Sequence, residues 1–226
     1  MTDKIKVLFI YDDLWHPRDV IDRGFKSFPE RLNSYDIDFV ITAKDILTES
    51  FLDEFDVITV ACGNAINASN SAPWFEYGVS EVTPEHIRSY VEKGGGLLSL
   101  HAGNAFKKGS SRGSDEFISL TGCAFISHPP RCLTKVTPVG NSLLVDGIDS
   151  FCERDEHYII ELLCGDAEVF LKSESEAGGE SISGYTRNVG SGRVAALTPG
   201  HILSVWQNRN YQNLIMNCWD FCAKKM

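Results

Sequence analysis

The feature that most constrains this chain is a switch between two hydrophobic periods, repeated through its first hundred residues. Lys6-Val-Leu-Phe-Ile-Tyr11 is a continuous apolar run, the pattern of a strand buried on both faces. Ile37-Asp-Phe-Val-Ile41, Asp56-Val-Ile-Thr-Val-Ala61 and Leu97-Leu-Ser-Leu100 read the same way. Between them the spacing becomes helical. From Pro17 to Leu32, the residues Val20, Ile21, Gly24, Phe25, Phe28 and Leu32 recur at near-helical intervals, and Pro17 suits a helix start. Thr83-Pro84-Glu85-His86 opens a second helix with a hydroxyl cap and a first-turn proline, and Gly94-Gly-Gly96 stops it. Strands alternating with helices predict a flavodoxin-like α/β fold, a parallel sheet flanked by helices.

The second half changes character. Cys132–Val139, His157–Leu163, Glu168–Ser173 and Ser181–Asn188 are short strand candidates separated by turns, with Glu176-Ala-Gly-Gly179 as a hairpin loop. Arg193-Val-Ala-Ala-Leu197 reads as another central strand, and Tyr211–Cys222 as a closing helix. Neither an internal repeat nor a low-complexity linker interrupts the chain. The expectation is a single domain over residues 1–226, its parallel sheet carrying an antiparallel insertion or extension.

Charge narrows the partners. The 226 residues carry a formal charge of −10 without a Lys/Arg cluster, which argues against nucleic acid or an anionic membrane as partner. No apolar run approaches the roughly 18 residues of a membrane span. Met1-Thr-Asp-Lys-Ile-Lys-Val7 lacks the apolar core of a signal peptide, so a cytoplasmic protein is expected. The seven cysteines fit that expectation: their number is odd and no C-x-x-C pair occurs.

Chemistry is sought where open parallel sheets bind ligands, outside the carboxyl ends of their strands. Three of the six histidines fall there: His16 after the first strand, His101 ending the fourth, and His201 after the late strand. A shared site for the three outweighs three separate structural histidines. Asp12 lies in the same loop as His16, and Asn104 follows His101. His128 belongs to the turn Phe125-Ile-Ser-His-Pro-Pro130, which can fold over the strand ends. Glu153-Arg-Asp-Glu-His-Tyr158 adds carboxylates. If it is extended, Glu156 and Tyr158 share one face while Asp155 and His157 share the other. Lys93-Gly-Gly-Gly96 ends a helix and Gly190-Ser-Gly-Arg193 precedes a strand, so neither is a phosphate loop and no nucleotide is expected.

These motifs together resemble the ThuA-like (trehalose utilisation) family. The resemblance runs in order through Gly94-Gly-Gly-Leu-Leu-Ser-Leu-His101, Leu120-Thr-Gly-Cys-Ala-Phe125 with His128-Pro129, and Asp155-Glu-His-Tyr158. It continues through Gly190-Ser-Gly-Arg-Val194 and Pro199-Gly-His201 to the helix around Trp219. It implies a class I glutamine amidotransferase-like fold with a sharp turn after a central strand. In amidotransferases a cysteine nucleophile occupies that turn. Here His101 stands at or beside it and no cysteine lies between Leu97 and Lys108, so amidotransferase chemistry is not expected. The sequence departs from the family at Asn141-Ser142, where many members carry a second His-Pro pair, and at Ala102-Gly103-Asn104.

The resemblance implies a role in disaccharide or keto-sugar utilisation. In the first reading the chain is a carbohydrate-active hydrolase or isomerase with His101, His201 and Glu156 as acid/base groups. The same three residues are also candidate ligands for a divalent metal such as Zn²⁺. His16, Asp12, Asn104, His128, Asp155, Tyr158 and Trp206 are candidate ligand-binding residues, and Trp15 and Trp74 offer further flat surfaces for a sugar ring. The alternative is a non-catalytic sugar-binding or regulatory protein on the same fold. A thiol hydrolase using Cys62 or Cys123 is a weaker third reading. Expected partners are a small sugar or polyol, with a homo-oligomer left open.

Overall fold

The structure, a computed structural model, describes residues 3–41, 47–64, 75, 80–110 and 113–226. Trp74 lies outside the described residues. In chain order the strands are β1 (Ile5–Tyr11), β2 (Tyr35–Ile41), β3 (Val57–Val60), β4 (Gly96–Leu100), β5 (Cys123–Ser127) and β6 (Cys132–Pro138). They continue with β7 (Phe151–Asp155), β8 (Ile159–Leu162), β9 (Glu168–Ser175), β10 (Gly179–Val189) and β11 (Gly192–Leu197). The helices are α1 (Arg18–Phe25), α2 (Glu49–Leu52), α3 (Pro84–Glu92), α4 (Ser114–Thr121), α5 (Leu203–Gln207) and α6 (Arg209–Cys222).

A nine-stranded sheet of order β2-β1-β3-β4-β11-β10-β9-β6-β7 draws strands from both halves of the chain. β2, β1, β3, β4 and β11 run parallel, and β10, β9, β6 and β7 extend them antiparallel. β5 and β8 form a separate antiparallel ribbon. The parallel half is therefore completed by a strand placed almost at the end of the chain.

The apolar runs are continuous because both sheet faces are covered. Val7, Phe9 and Tyr11 of β1 face one core with Leu98, Leu100, Ala195 and Leu197, where α5 and α6 supply Trp206, Leu214 and Trp219. Leu8 and Ile10 face the other with Ile58, Val60, Leu97 and Val194, under Ile87 and Val91 of α3 and Phe117 and Leu120 of α4. Each large side chain so buried stabilises the fold by roughly 1.5–3 kcal/mol relative to exposure. The indole of Trp219 donates to Thr59 Oγ1 at 2.9 Å, so its one polar atom is satisfied inside the core.

Two elements differ from the sequence expectation. The helical pattern from Pro17 to Leu32 divides into α1 and a short 3₁₀ turn at Glu30–Ser34. Pro29, with no N–H to donate, is extended at the break. The strand expected over His157–Leu163 begins only at Ile159 and pairs with β5 rather than with the main sheet. Glu156, His157 and Tyr158 thus form a short connector between β7 and β8.

Candidate functional site

Because β1, β3, β4 and β11 are parallel neighbours, the segments leaving their carboxyl ends emerge along one edge. After β1, Asp12 takes a left-handed conformation (φ 79°) and its Oδ1 accepts the N–H of Arg18 at the start of α1. Asp13 then organises the loop. Its Oδ1 accepts the N–H groups of Trp15 and His16, each at 2.8 Å, and its Oδ2 accepts the N–H of Gly63 beyond β3. The same carboxylate receives His16 Nδ1 at 2.8 Å. A carboxylate flanked by donors can only accept, so Nδ1 carries the hydrogen, and in the neutral ring Nε2 presents a lone pair.

His101 leaves β4 at φ 42°, a left-handed conformation unusual for a residue with a side chain. The turn is held by its neighbours. Asn104 donates to the carbonyls of Ser99 and Leu197, and a Cβ at Gly103 would meet the Val60 carbonyl at 2.1 Å, so only glycine fits there. His101 Nδ1 lies 2.7 Å from the Thr198 carbonyl, which fixes its hydrogen on Nδ1 and leaves Nε2 as an acceptor. After β11, Asp155 takes the N–H groups of Gly200, His201 and Ile202 at 2.8, 2.9 and 3.2 Å. One carboxylate thus shapes the loop that carries His201.

The connector from β7 to β8 keeps the alternation of an extended chain. Asp155 turns to the 200–202 backbone, and His157 is buried between the hydroxyls of Ser173 and Ser175. Glu156 and Tyr158 face the histidines. Glu156 Oε2 lies 3.2 Å from His201 Nδ1, 3.8 Å from both His101 Nε2 and His128 Nε2, and 4.0 Å from His16 Nε2. One donor atom from each of His16, His101, Glu156 and His201 falls within 4.8 Å of all the others. His101 Nε2 and His201 Nδ1 are buried without a hydrogen-bond partner in the protein. The Tyr158 hydroxyl lies 3.3 Å from His16 Nε2, and its ring stacks on His101 at 4.3 Å.

Burial and charge tune these groups. Burial pushes His101 well below the usual imidazole range, helped by His16 and opposed by the Thr198 carbonyl. Burial would raise Glu156, but its contacts with His201, His128 and His16 outweigh it and hold the carboxyl low. Asp13 is held low in the same way, chiefly by His16. Asp155 moves in the opposite direction: burial takes it up to about 6 against its backbone hydrogen bonds.

Above the cluster lies a cavity of about 490 Å³, lined by Trp15, His16, Ala105, Phe125, His128, Arg131, Glu156, Tyr158 and His201. Trp15 is 69% exposed. Of the residues expected from sequence, His16, His101, His128, His201, Glu156 and Tyr158 come together around this cavity. Asp12, Asn104 and Asp155 instead hold backbone. Trp206 is buried in the core, its indole donating to the Gly200 carbonyl at 2.7 Å. Asp13 and Arg131 were not anticipated. Asp13 is legible afterwards as a carboxylate three residues before His16, while Arg131, with Nε 3.9 Å from Glu156 Oε1, left no sequence signal.

A family model described as trehalose utilisation, ThuA, matches residues 6–222. The chain belongs to the ThuA family. A putative ThuA-like protein from Parabacteroides merdae superposes with a TM-score of 0.74 at 18% identity, covering 98% of this chain and 91% of that one. A cytoplasmic protein from Salmonella typhimurium LT2 gives 0.68 at 14% identity, covering 96% and 99%. A glutamine amidotransferase from Thermotoga maritima gives 0.60 at 12% identity, covering 97% and 98%. A comparison with curated proteins gives no match. The ThuA fold here is thus the amidotransferase-like sheet, and among the described residues no helix is long and apolar enough to cross a membrane.

Proposed function

We propose that this ThuA protein is a cytoplasmic enzyme of carbohydrate utilisation that acts on a disaccharide or its keto form in the cavity beneath Trp15. The observation that carries the reading is the ring of four histidine nitrogens around one carboxylate oxygen, Glu156 Oε2, at 3.2 to 4.0 Å. Sugar chemistry at neutral pH turns on moving protons between hydroxyl or carbonyl oxygens and carbon-bound positions, which a carboxylate and imidazoles do well. Glu156, held ionised by its neighbours, is the base. His128, on the cavity wall and partly exposed, can exchange protons with solvent and serves as its acid partner. Trp15 and Phe125 offer aromatic faces to a pyranose ring, and Arg131 can hydrogen-bond its hydroxyls.

The thiol and amidotransferase alternatives lose support. His101 occupies the turn after β4, and Cys62 is buried with its thiol pushed well up by burial and by Asp13. Asn141 and Ser142 line a separate groove with Arg193, at the opposite end of β11 from Thr198, so this departure from the family pattern does not touch the cavity.

The test is turnover of trehalose, other disaccharides and their keto forms, followed by product analysis, with Glu156→Gln as control. The expected result is product formation that falls about 10²–10⁴-fold in the variant. Saturable sugar binding with the sugar recovered unchanged would replace this reading with a sugar-binding protein.

A further inference from the structure

The groups around Glu156 share an unusual property: nearly all of them are acceptors. The Nδ1 hydrogens of His16 and His101 are committed to Asp13 and to the Thr198 carbonyl, so both Nε2 atoms present lone pairs. Glu156 Oε2 is an acceptor, and His201 Nδ1 is buried with no partner in the protein. Tyr158, the hydroxyl nearest to them, can donate to His16 alone, leaving the others facing one another. Three acceptors and a partnerless imidazole nitrogen converging on one spot call for a positive centre between them, because lone pairs left facing one another repel. Protonating one imidazole satisfies one pair and leaves the rest opposed.

We infer that His16 Nε2, His101 Nε2, His201 Nδ1 and Glu156 Oε2 bind one divalent transition-metal ion of the Zn²⁺ class. Three imidazoles and a carboxylate form a borderline-soft donor set that suits Zn²⁺ and disfavours Mg²⁺ or Ca²⁺, which prefer oxygen ligands. Ligands on a tetrahedral Zn²⁺ stand roughly 3.4 Å apart. The pairs here begin at 3.2 Å, and the whole set lies within 4.8 Å, so small side-chain rotations close it. The supporting shell is in place as well. Asp13 and the Thr198 carbonyl hold two ligating rings through their far nitrogens, the arrangement that fixes tautomer and raises ligand basicity. Asp155 fixes the backbone of the third.

The donor set also has a direction. His101 is 3% exposed at the rear, whereas His16, Glu156 and His201 line the open cavity. A substrate oxygen would therefore approach from the Trp15 side. His128 falls outside the four-donor set and stays free to move protons, and Glu156, ligating through Oε2, keeps Oε1 beside Arg131 as the base. The inference deepens the proposed function by naming the cation of the same site, and it rests on that reading only for what the ion would act upon.

The experiment uses the full chain with any purification tag removed, stripped with chelator and titrated with Zn²⁺ by calorimetry. Co²⁺ is a second probe, its visible spectrum reporting coordination. The expected result is one Zn²⁺ per chain, four-coordinate Co²⁺ bands, and no competition from excess Mg²⁺. His16→Ala, His201→Ala and Glu156→Gln should each weaken binding about 100-fold or more, and Asp13→Ala about 10–100-fold, while His128→Ala leaves it unchanged. Circular dichroism selects the variants that stay folded. Absence of saturable binding to folded wild type overturns the inference, and so does wild-type affinity in folded His16→Ala and Glu156→Gln. Zn²⁺ binding without sugar turnover defeats the proposed function and keeps the metal site. Sugar turnover by a protein that shows no saturable Zn²⁺ binding defeats the metal site and keeps the function.

Discussion

Asp155 and His201 meet through the backbone: the Asp155 carboxylate accepts the His201 N–H at 2.9 Å, while Glu156, one residue on, faces the same histidine's ring at 3.2 Å. Adjacent residues of an extended chain point to opposite sides, so one carboxylate builds the loop and the other meets its side chain. Asp155→Ala leaves the N–H groups of Gly200, His201 and Ile202 without their acceptor, and should cost roughly 2–4 kcal/mol of stability in urea unfolding. Asp155→Asn retains one acceptor and should cost less. Equal stability of wild type and Asp155→Ala would show that the loop holds itself.

Asp13 does for His16 what Asp155 does for His201, with one difference. It binds both the backbone and the ring, so its loss frees the side chain to rotate. Asp13→Ala should therefore lower kcat on a sugar substrate about tenfold or more while KM changes little, because the groups that bind the sugar remain. A rise in KM alone would place His16 in substrate binding rather than at the reacting centre.

The parallel half of the fold was legible because its strands are buried on both faces and write themselves as unbroken apolar runs. The locations of His16, His101 and His201 followed from those strands, since a parallel sheet fixes which end of each strand shares an edge. The alternation from Asp155 to Tyr158 was legible too, as a property of any extended chain. What stayed hidden depended on three-dimensional neighbours. Trp206 reads like a pocket aromatic, yet its place in α5 turns it into the core against Phe9. Asn104 looks like a ligand beside His101 but is consumed by carbonyls 5 and 93 residues away in sequence. Arg131 reaches Glu156 only because the β5–β6 turn folds over the strand ends.

Trp15 tests the sugar reading without disturbing the fold. Its side chain is largely in solvent, so Trp15→Ala should change stability by no more than about 0.5 kcal/mol. If the indole carries a sugar ring, KM should rise about 3–10-fold with kcat nearly unchanged, the loss of a stacking contact made equally in ground and transition states. An unchanged KM across the sugar panel would remove Trp15 from the binding surface.

The cysteines give a chemical prediction. Burial pushes Cys123 up to about 11 and Cys222 to about 12, and raises Cys62 and Cys218 as well, so at pH 8 these thiols are protonated as well as inaccessible. Cys152 is exposed on β7. Iodoacetamide at about pH 8 should modify Cys152 first and leave turnover intact, as mass spectrometry and assay will show. Loss of activity in step with alkylation of Cys62 would revive a thiol mechanism.

The buried imidazole of His101 predicts a pH dependence of stability whose sign follows from its shift. Burial holds its pKa well below 6.5 in the folded protein, whereas in the unfolded chain it titrates near 6.5. As pH falls through 6.5 the unfolded state binds the proton first, so stability is complete above that value and declines below it. His157, lowered by burial among hydroxyls, contributes with the same sign. Glu156 and Asp13 are lowered from carboxylate values, so their contribution is lost in a separate window, below about pH 4.5. Asp155, taken up to about 6 by burial, binds its proton first in the folded state and offsets part of the upper loss between about pH 6 and 4. Metal-stripped protein should thus show Tm falling in two stages, gently below about pH 6.5 and steeply below about pH 4.5. His101→Asn keeps a residue type that tolerates φ 42° and removes one titrating group, so it should flatten the upper stage and leave the lower one. An upper stage as steep in His101→Asn as in wild type would mean that His101 does not resist protonation in the folded state.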